Sequence, residues 1–146
     1  MKSLVQRLLL ASLLVLLLGG CASNAKLGGL TARLVNVVPT GATSAKVTLE
    51  YSNDNLLPVG VSRSQHDITL NGVALKRVSI DTPVGVPRLA KADQVITVEL
   101  PSATLSALDD GSLSYQIQSL LFIDAGEDVV RSKSTASGIV PVNASR

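Results

Sequence analysis

Cysteine is almost absent from this chain. Cys21 is the single one among 146 residues, so no disulfide within the chain and no thiolate metal cluster can form. Aromatic rings are nearly as scarce: tryptophan is missing, and Tyr51, Tyr115 and Phe122 are the whole set. Binding sites for single-stranded nucleic acid depend on exposed aromatic platforms. All three rings here fall within strand-like patterns, which predicts core packing, with the tyrosine hydroxyls seeking partners at the core edge. Histidine occurs once, as His66. A zinc site would need more nitrogen or sulfur ligands, and no serine sits in a Gly-x-Ser-x-Gly elbow for His66 to serve. His66 is therefore expected on the surface, at a strand start beside Asp67. The glycines, Gly85 included, follow no phosphate-binding pattern. No catalytic residue, metal ligand or cofactor is predicted, and the chain is not expected to be an enzyme.

A long apolar run appears only at the N-terminus. Lys2 and Arg7 precede an apolar stretch from Leu8 to Leu18, interrupted only by Ser12 and followed by Gly19 and Gly20. A positive start, a short apolar core and small residues at a cut site describe a secretory signal, and the run is too short to span a bilayer. A plain secretory signal cut elsewhere is the alternative. If residues 1–20 leave, Lys2 and Arg7 leave with them. Of the 13 Lys and Arg and 11 Asp and Glu, a balanced eleven of each remain. The apparent basicity thus belongs to the targeting segment and does not argue for nucleic acid, which wants a concentrated basic face. Residues 21–27 read as a polar tether, with Ala22 to Lys26 reaching roughly 20 Å at most. Residues 28–143 suit one domain with a single core.

Within that domain the period is two. Ala45, Val47, Leu49 and Tyr51 alternate with polar neighbours, as do Ile68 and Leu70, Ile96, Val98 and Leu100, and Leu113, Tyr115 and Ile117. Such alternation marks half-buried strands. Asn71-Gly72 between two apolar runs is a strong hairpin signal, because both central turn residues need positive φ. Ser52-Asn53-Asp54-Asn55 and Asp124-Ala125-Gly126-Glu127 read as turns. The alternation blurs at Leu120-Leu121-Phe122-Ile123, as if both faces were covered. Ser102 to Asp110 is the one plausible helical turn, with Ser102 as cap and Gly111 as stop. Leu30 to Val38 makes a first strand and Val129 to Ile139 a last one. About seven or eight strands follow, which predicts an all-β fold, a β-sandwich, after a cleaved N-terminal signal helix. The remaining charge clusters read as solvated: Asp109 and Asp110, the polar turn with Asp124, Glu127 and Asp128, and the short basic groups Lys76-Arg77 and Arg88/Lys91.

Two resemblances add to this. Leu18-Gly19-Gly20-Cys21 resembles the bacterial lipobox, which implies cleavage between Gly20 and Cys21 and lipidation of the Cys21 thiol. Ala22, in place of Asp, follows the common sorting rule for outer-membrane export with the domain facing the periplasm. The stretches Val47–Asn55 with Leu57-Pro58-Val59, Ile68–Val73, Gly111–Asp124 and Ser132–Gly138 are similar to the late embryogenesis abundant (LEA) type 2 family, also described as the WHy (water stress and hypersensitive response) domain. The family often has Asn-Pro where this chain has Asn53-Asp54. The likeness implies a fibronectin-III-like sandwich without an established catalytic site and a role in protecting cell components under stress. The expected partners are the membrane, through Cys21, and envelope or stress-damaged proteins, with no nucleic acid and no small-molecule substrate. The alternative is a binding or assembly module of an envelope complex.

Overall fold

A computed structural model describes residues 28–143 apart from 106, 107, 109 and 110. The signal segment, the proposed cleavage point at Gly20–Cys21, the tether and Asp109/Asp110 lie outside the described residues.

The chain forms an all-β sandwich. Its strands are β1 (Leu30–Pro39), β2 (Ser44–Asn53), β3 (Val59–Leu70), β4 (Val73–Ala74), β5 (Val78–Ile80), β6 (Val84–Val86), β7 (Ala90–Glu99), β8 (Ser112–Ala125) and β9 (Asp128–Pro141). A short helix, α1 (Ser102–Leu105), joins β7 to β8. One sheet has three strands in the order β1-β2-β7. The other has six, with β3-β8-β9 as its long members and β4, β5 and β6 all paired to β3. Every pairing within the two sheets is antiparallel. The described strands outnumber the seven or eight expected because β4, β5 and β6 are two or three residues each, too short to show a period of two. Conversely β7 starts at Ala90, well before Val95, because it pairs with β2 along the whole of Ser44–Asn53.

The alternation reads directly as inside and outside. Ala45, Val47, Leu49 and Tyr51 of β2 face Leu113, Tyr115, Ile117, Leu121 and Ile123 of β8 across a shared core. Two bulges re-aim side chains. In β1 the register slips between Leu34 and Asn36, so Leu34 and then Val37 point inward. In β3 it slips between Val61 and Arg63, so the inward set changes from Val59 and Val61 to Ser64, His66, Ile68 and Leu70.

One side of the sandwich is stitched. The Ala32 amide donates to Ser134 Oγ at 3.2 Å. The Asn143 amide donates to Val37 O at 2.9 Å, beside a parallel bridge between Val37 and Val142. A Cβ at Gly138 would come within 3.3 Å of the Tyr115 ring, so a larger residue there requires the ring to shift by a few tenths of an ångström. On the outer face of the small sheet Glu50 takes Arg33 at 2.7 Å and Lys91 at 3.0 Å. Burial pushes the Glu50 carboxyl up, and the two cations outweigh it, leaving its pKa below the ordinary value.

The Asn71-Gly72 turn forms as expected, with φ of 45° and 78°. Asn71 does more than turn the chain: its Oδ1 accepts from Ser114 N at 2.8 Å and Ser114 Oγ at 3.1 Å. Asn71→Ala loses both bonds and places a Cβ residue without side-chain compensation at positive φ. It should lower stability by about 1–2 kcal/mol, read as a shift in the urea midpoint with an unchanged slope.

Candidate functional site

The even-numbered inward face of β3 carries the polar groups with the greatest chemical capacity. His66 is fully buried. It lies in mid-strand, not at a surface strand start as expected. The alternation Ile68–Leu70 carried two steps back reaches Ser64 and His66, and that was the signal available in the sequence. His66 Nδ1 lies 2.8 Å from Ser119 Oγ, and Nε2 lies 2.9 Å from Ser64 Oγ. Tyr51 reaches across from the other sheet. Its hydroxyl donates to Gln94 Oε1 at 3.0 Å and stands 3.2 Å from Ser64 Oγ and 3.3 Å from His66 Nε2. Gln94 in turn donates to Thr82 O at 3.0 Å. Every ring nitrogen and hydroxyl of this cluster therefore has a partner, as groups in an apolar interior require.

The cluster can relay protons between hydroxyls, but no carboxylate orients the imidazole. Asp67, next in sequence, points outward and forms a two-pronged ion pair with Arg77 at 2.6 and 2.7 Å. Arg77 holds the Asp67 carboxyl below its ordinary range. Burial drives the His66 pKa down to about 4, with Asp67 offsetting only part of this. Burial also pushes the Tyr51 phenol up. Ser64 and Ser119 are sealed with the imidazole between the sheets.

A second polar anchor stands at the end of β2. Asn53 was expected in a turn, but it ends β2 and is 1 % exposed. It continues the odd-numbered inward series of β2 past Tyr51. Its Nδ2 donates to the carbonyls of Leu57 (2.9 Å), Val86 (3.2 Å) and Pro87 (3.1 Å). Its Oδ1 accepts from Asn55 N at 3.0 Å and Asn55 Nδ2 at 2.9 Å. One side chain thus fixes two loops, 54–58 and 87–89. A shallow cleft of about 560 Å³ opens beside them, lined by Leu56, Leu57, Pro58, Val59, Ile123 and Ala125 among others. A smaller cleft of about 260 Å³ lies on the outer face of the large sheet, around Asp67, Arg77, Gln118 and Lys133.

The other singled-out residues separate. Tyr51 and Tyr115 join the main core cluster, whereas Phe122, although buried, lies outside that cluster. Odd residues of β8 point inward, so Phe122 lies on the outer face, where Arg63 (4.1 Å) and Arg131 (5.6 Å) cover its ring. Both faces of β8 are indeed covered there, one of them by guanidinium groups. Of the basic groups, Arg77 and Lys91 are paired to carboxylates. Asp124, Glu127 and Asp128 are exposed around the β8–β9 turn. Among the described residues no group of three or more His, Cys, Asp or Glu is placed to hold a metal, and no helix is long and apolar enough to cross a membrane.

With the geometry established, the fold can be compared with known proteins. No family model and no curated protein sequence matches the chain. Solved structures do. A protein of Arabidopsis thaliana solved in solution has TM-score 0.56 and 13 % identity, over 80 % of this chain and 82 % of that one. A candidate late embryogenesis abundant (LEA) protein, also solved in solution, has TM-score 0.51 and 14 % identity, over 96 % of this chain and 84 % of that one. At such identities the likeness is one of fold: this chain has the β-sandwich found in an LEA-type structure.

Two outcomes follow from the anchors. The folded His66 binds its proton more weakly than the unfolded one, so its contribution to stability is complete above the unfolded value near 6.5 and is lost as pH falls toward 4. Stability should drop by about 2 kcal/mol between pH 7 and pH 5, as urea titrations at the two pH values will measure, and His66→Gln should flatten that interval. The acid losses from Asp67 and Glu50 lie lower, below the ordinary carboxylate range. Asn53→Ala should cost about 2–3 kcal/mol by orphaning buried carbonyls and should speed hydrogen exchange at the Leu89 amide, which bonds to Asn55 O.

Proposed function

We propose that this chain is a membrane-anchored lipoprotein of the cell envelope, with a non-catalytic LEA type 2/WHy domain that protects envelope components by contact under desiccation or other stress. On this reading residues 1–20 are removed, Cys21 carries the lipid, residues 21–27 form the tether, and the domain faces the periplasm from the outer membrane. One observation carries the protective reading. The imidazole and serines that would do chemistry are sealed between the sheets, while the outer face of the large sheet presents Gln116, Gln118, Thr135 and Ser137 to solvent. Such a face can offer neighbouring surfaces hydrogen bonds in place of water as water activity falls. The fold likeness to an LEA-type structure supports the same reading.

The second reading, an assembly module for an envelope complex, draws on β7. Among the described residues it is an edge strand of the three-stranded sheet, paired with β2 alone, and such an edge is where a partner strand could be added. In-cell cross-linking separates the two: a single dominant partner favours assembly, and many diffuse ones favour protection.

Dried and rewetted with an aggregation-prone enzyme, the protein should preserve more of that enzyme's activity than an equal mass of an inert globular protein; equal recovery sinks the protective role. Mass spectrometry of the mature protein should find an acylated N-terminal peptide beginning at Cys21, and Cys21→Ser should retain residues 1–20.

A further inference from the structure

Three large aliphatic side chains gather at one pole of the sandwich and stay out of its core. Leu56, Leu57 and Leu89 are 74, 73 and 65 % exposed. Of the other exposed large aliphatics, Val129 lies at the start of β9 on this same pole, while Val95 on β7 and Ile139 near the far end of β9 stand apart. Single exposed aliphatics are ordinary on any protein surface, but a group of them on one rim is a contact surface. The exposure is built into the backbone. Asn53 holds the Leu57 carbonyl and, on the neighbouring loop, those of Val86 and Pro87. The Leu89 amide donates to Asn55 O at 3.2 Å. Leu89 itself takes φ of 50°, a conformation uncommon for a residue with a Cβ.

The chain enters the domain at this same pole. The Gly29 carbonyl accepts from the Asp54 amide at 2.7 Å, and a Cβ on Gly29 would meet the Asn55 side chain at 3.3 Å. Cys21 stands seven positions before Gly28, a span of about 25 Å at full stretch. A lipid on Cys21 would hold this pole, and not the Asn71-Gly72 end, toward the bilayer. The surrounding charge is mostly negative: Asp54, Asp124, Glu127 and Asp128 lie on the loops and strand ends of this pole with Arg88, and Lys91 is engaged by Glu50. This charge gives no attraction to anionic headgroups.

We propose that this leucine-tipped pole seats on the membrane, with Leu56, Leu57 and Leu89 entering the boundary between headgroups and acyl chains of a neutral bilayer. Apolar side chains of surface-bound segments settle about 5–10 Å into that boundary. The proposal rests on the Cys21 anchor for the direction the pole faces, while the leucine tip is a property of the folded domain. It sets the domain's orientation and leaves the outer sheet faces free for other contacts.

Cys21 being the only cysteine makes the test direct. Leu57→Cys, and separately Ser112→Cys at the far end of β8, are labelled with an environment-sensitive fluorophore in the mature full-length protein, which is then reconstituted into phosphatidylcholine vesicles. The label at position 57 should shift to the blue, and nitroxide-bearing acyl chains should quench it at least about twofold more than the label at 112. Leu56→Ser with Leu89→Ser should reduce that quenching. A water-like spectrum at 57, quenched by aqueous iodide as strongly as at 112, overturns the proposal. So does a blue shift that grows with protein density and is untouched by the acyl-chain quencher, since a second copy then covers the face. The anchor reading fails separately, if the unsubstituted protein itself takes up label at Cys21. In that case the same measurement on the Cys21→Ser full-length chain, held at the vesicle by its apolar Leu8–Leu18 run, decides the proposal by the same criteria.

Discussion

The interior of this sandwich must house an imidazole, a phenol and several serine hydroxyls without water, and the register of both sheets depends on meeting that demand. His66, Ser119 and Ser134 stand opposite one another across β3, β8 and β9, making a polar row across the inner face of the large sheet. Ser119 serves His66, Ser134 serves the amide of Ala32 on the facing sheet, and Tyr51 closes the gap from above. An unpaired group in this row would cost about 1–3 kcal/mol. A slip of one residue in any of the three strands would turn its row member outward. The row contributes discrimination against other registers more than net stability, because each bond replaces one made to water.

The same logic governs the pole where the chain enters. A buried carboxamide is an economical organiser there because it both donates and accepts. Asn53 gathers carbonyls from two loops with its amide and receives the Asn55 backbone with its oxygen. These bonds tie both loops to the end of β2. Leu56, Leu57 and Leu89 are consequently presented from a firm platform.

These placements bear on function by assigning side chains to structural work. Serine, histidine and tyrosine are here sealed and mutually bonded between the two sheets. The exposed features are the polar outer faces, the rim of β7 and the leucine-tipped pole. A fold shared with an LEA-type structure does not carry function by itself.

Much of the architecture was legible in the sequence. The period of two in β2, β7 and β8 announced half-buried strands, Asn71-Gly72 announced its hairpin, and the blurred run at Leu120–Ile123 announced a strand covered on both faces. These signals are local: a pleat alternates with every residue, and a turn selects its residues by φ. The tertiary structure alone decided the bulges in β1 and β3, the stack of Arg63 and Arg131 that places Phe122 outside the main core cluster, and the burial of His66 and Asn53. For the last two, parity gave a hint that polarity overrode, since a histidine and an asparagine read as surface residues until their partners are known. Those partners come from distant positions, Ser119 for His66 and Val86 and Pro87 for Asn53. The sequence by itself determined which residues alternate and where the chain turns, because those rules act between neighbours. Which polar groups are buried and which leucines are left in solvent was decided only when two sheets closed on each other, because burial is a relation between segments far apart in the chain.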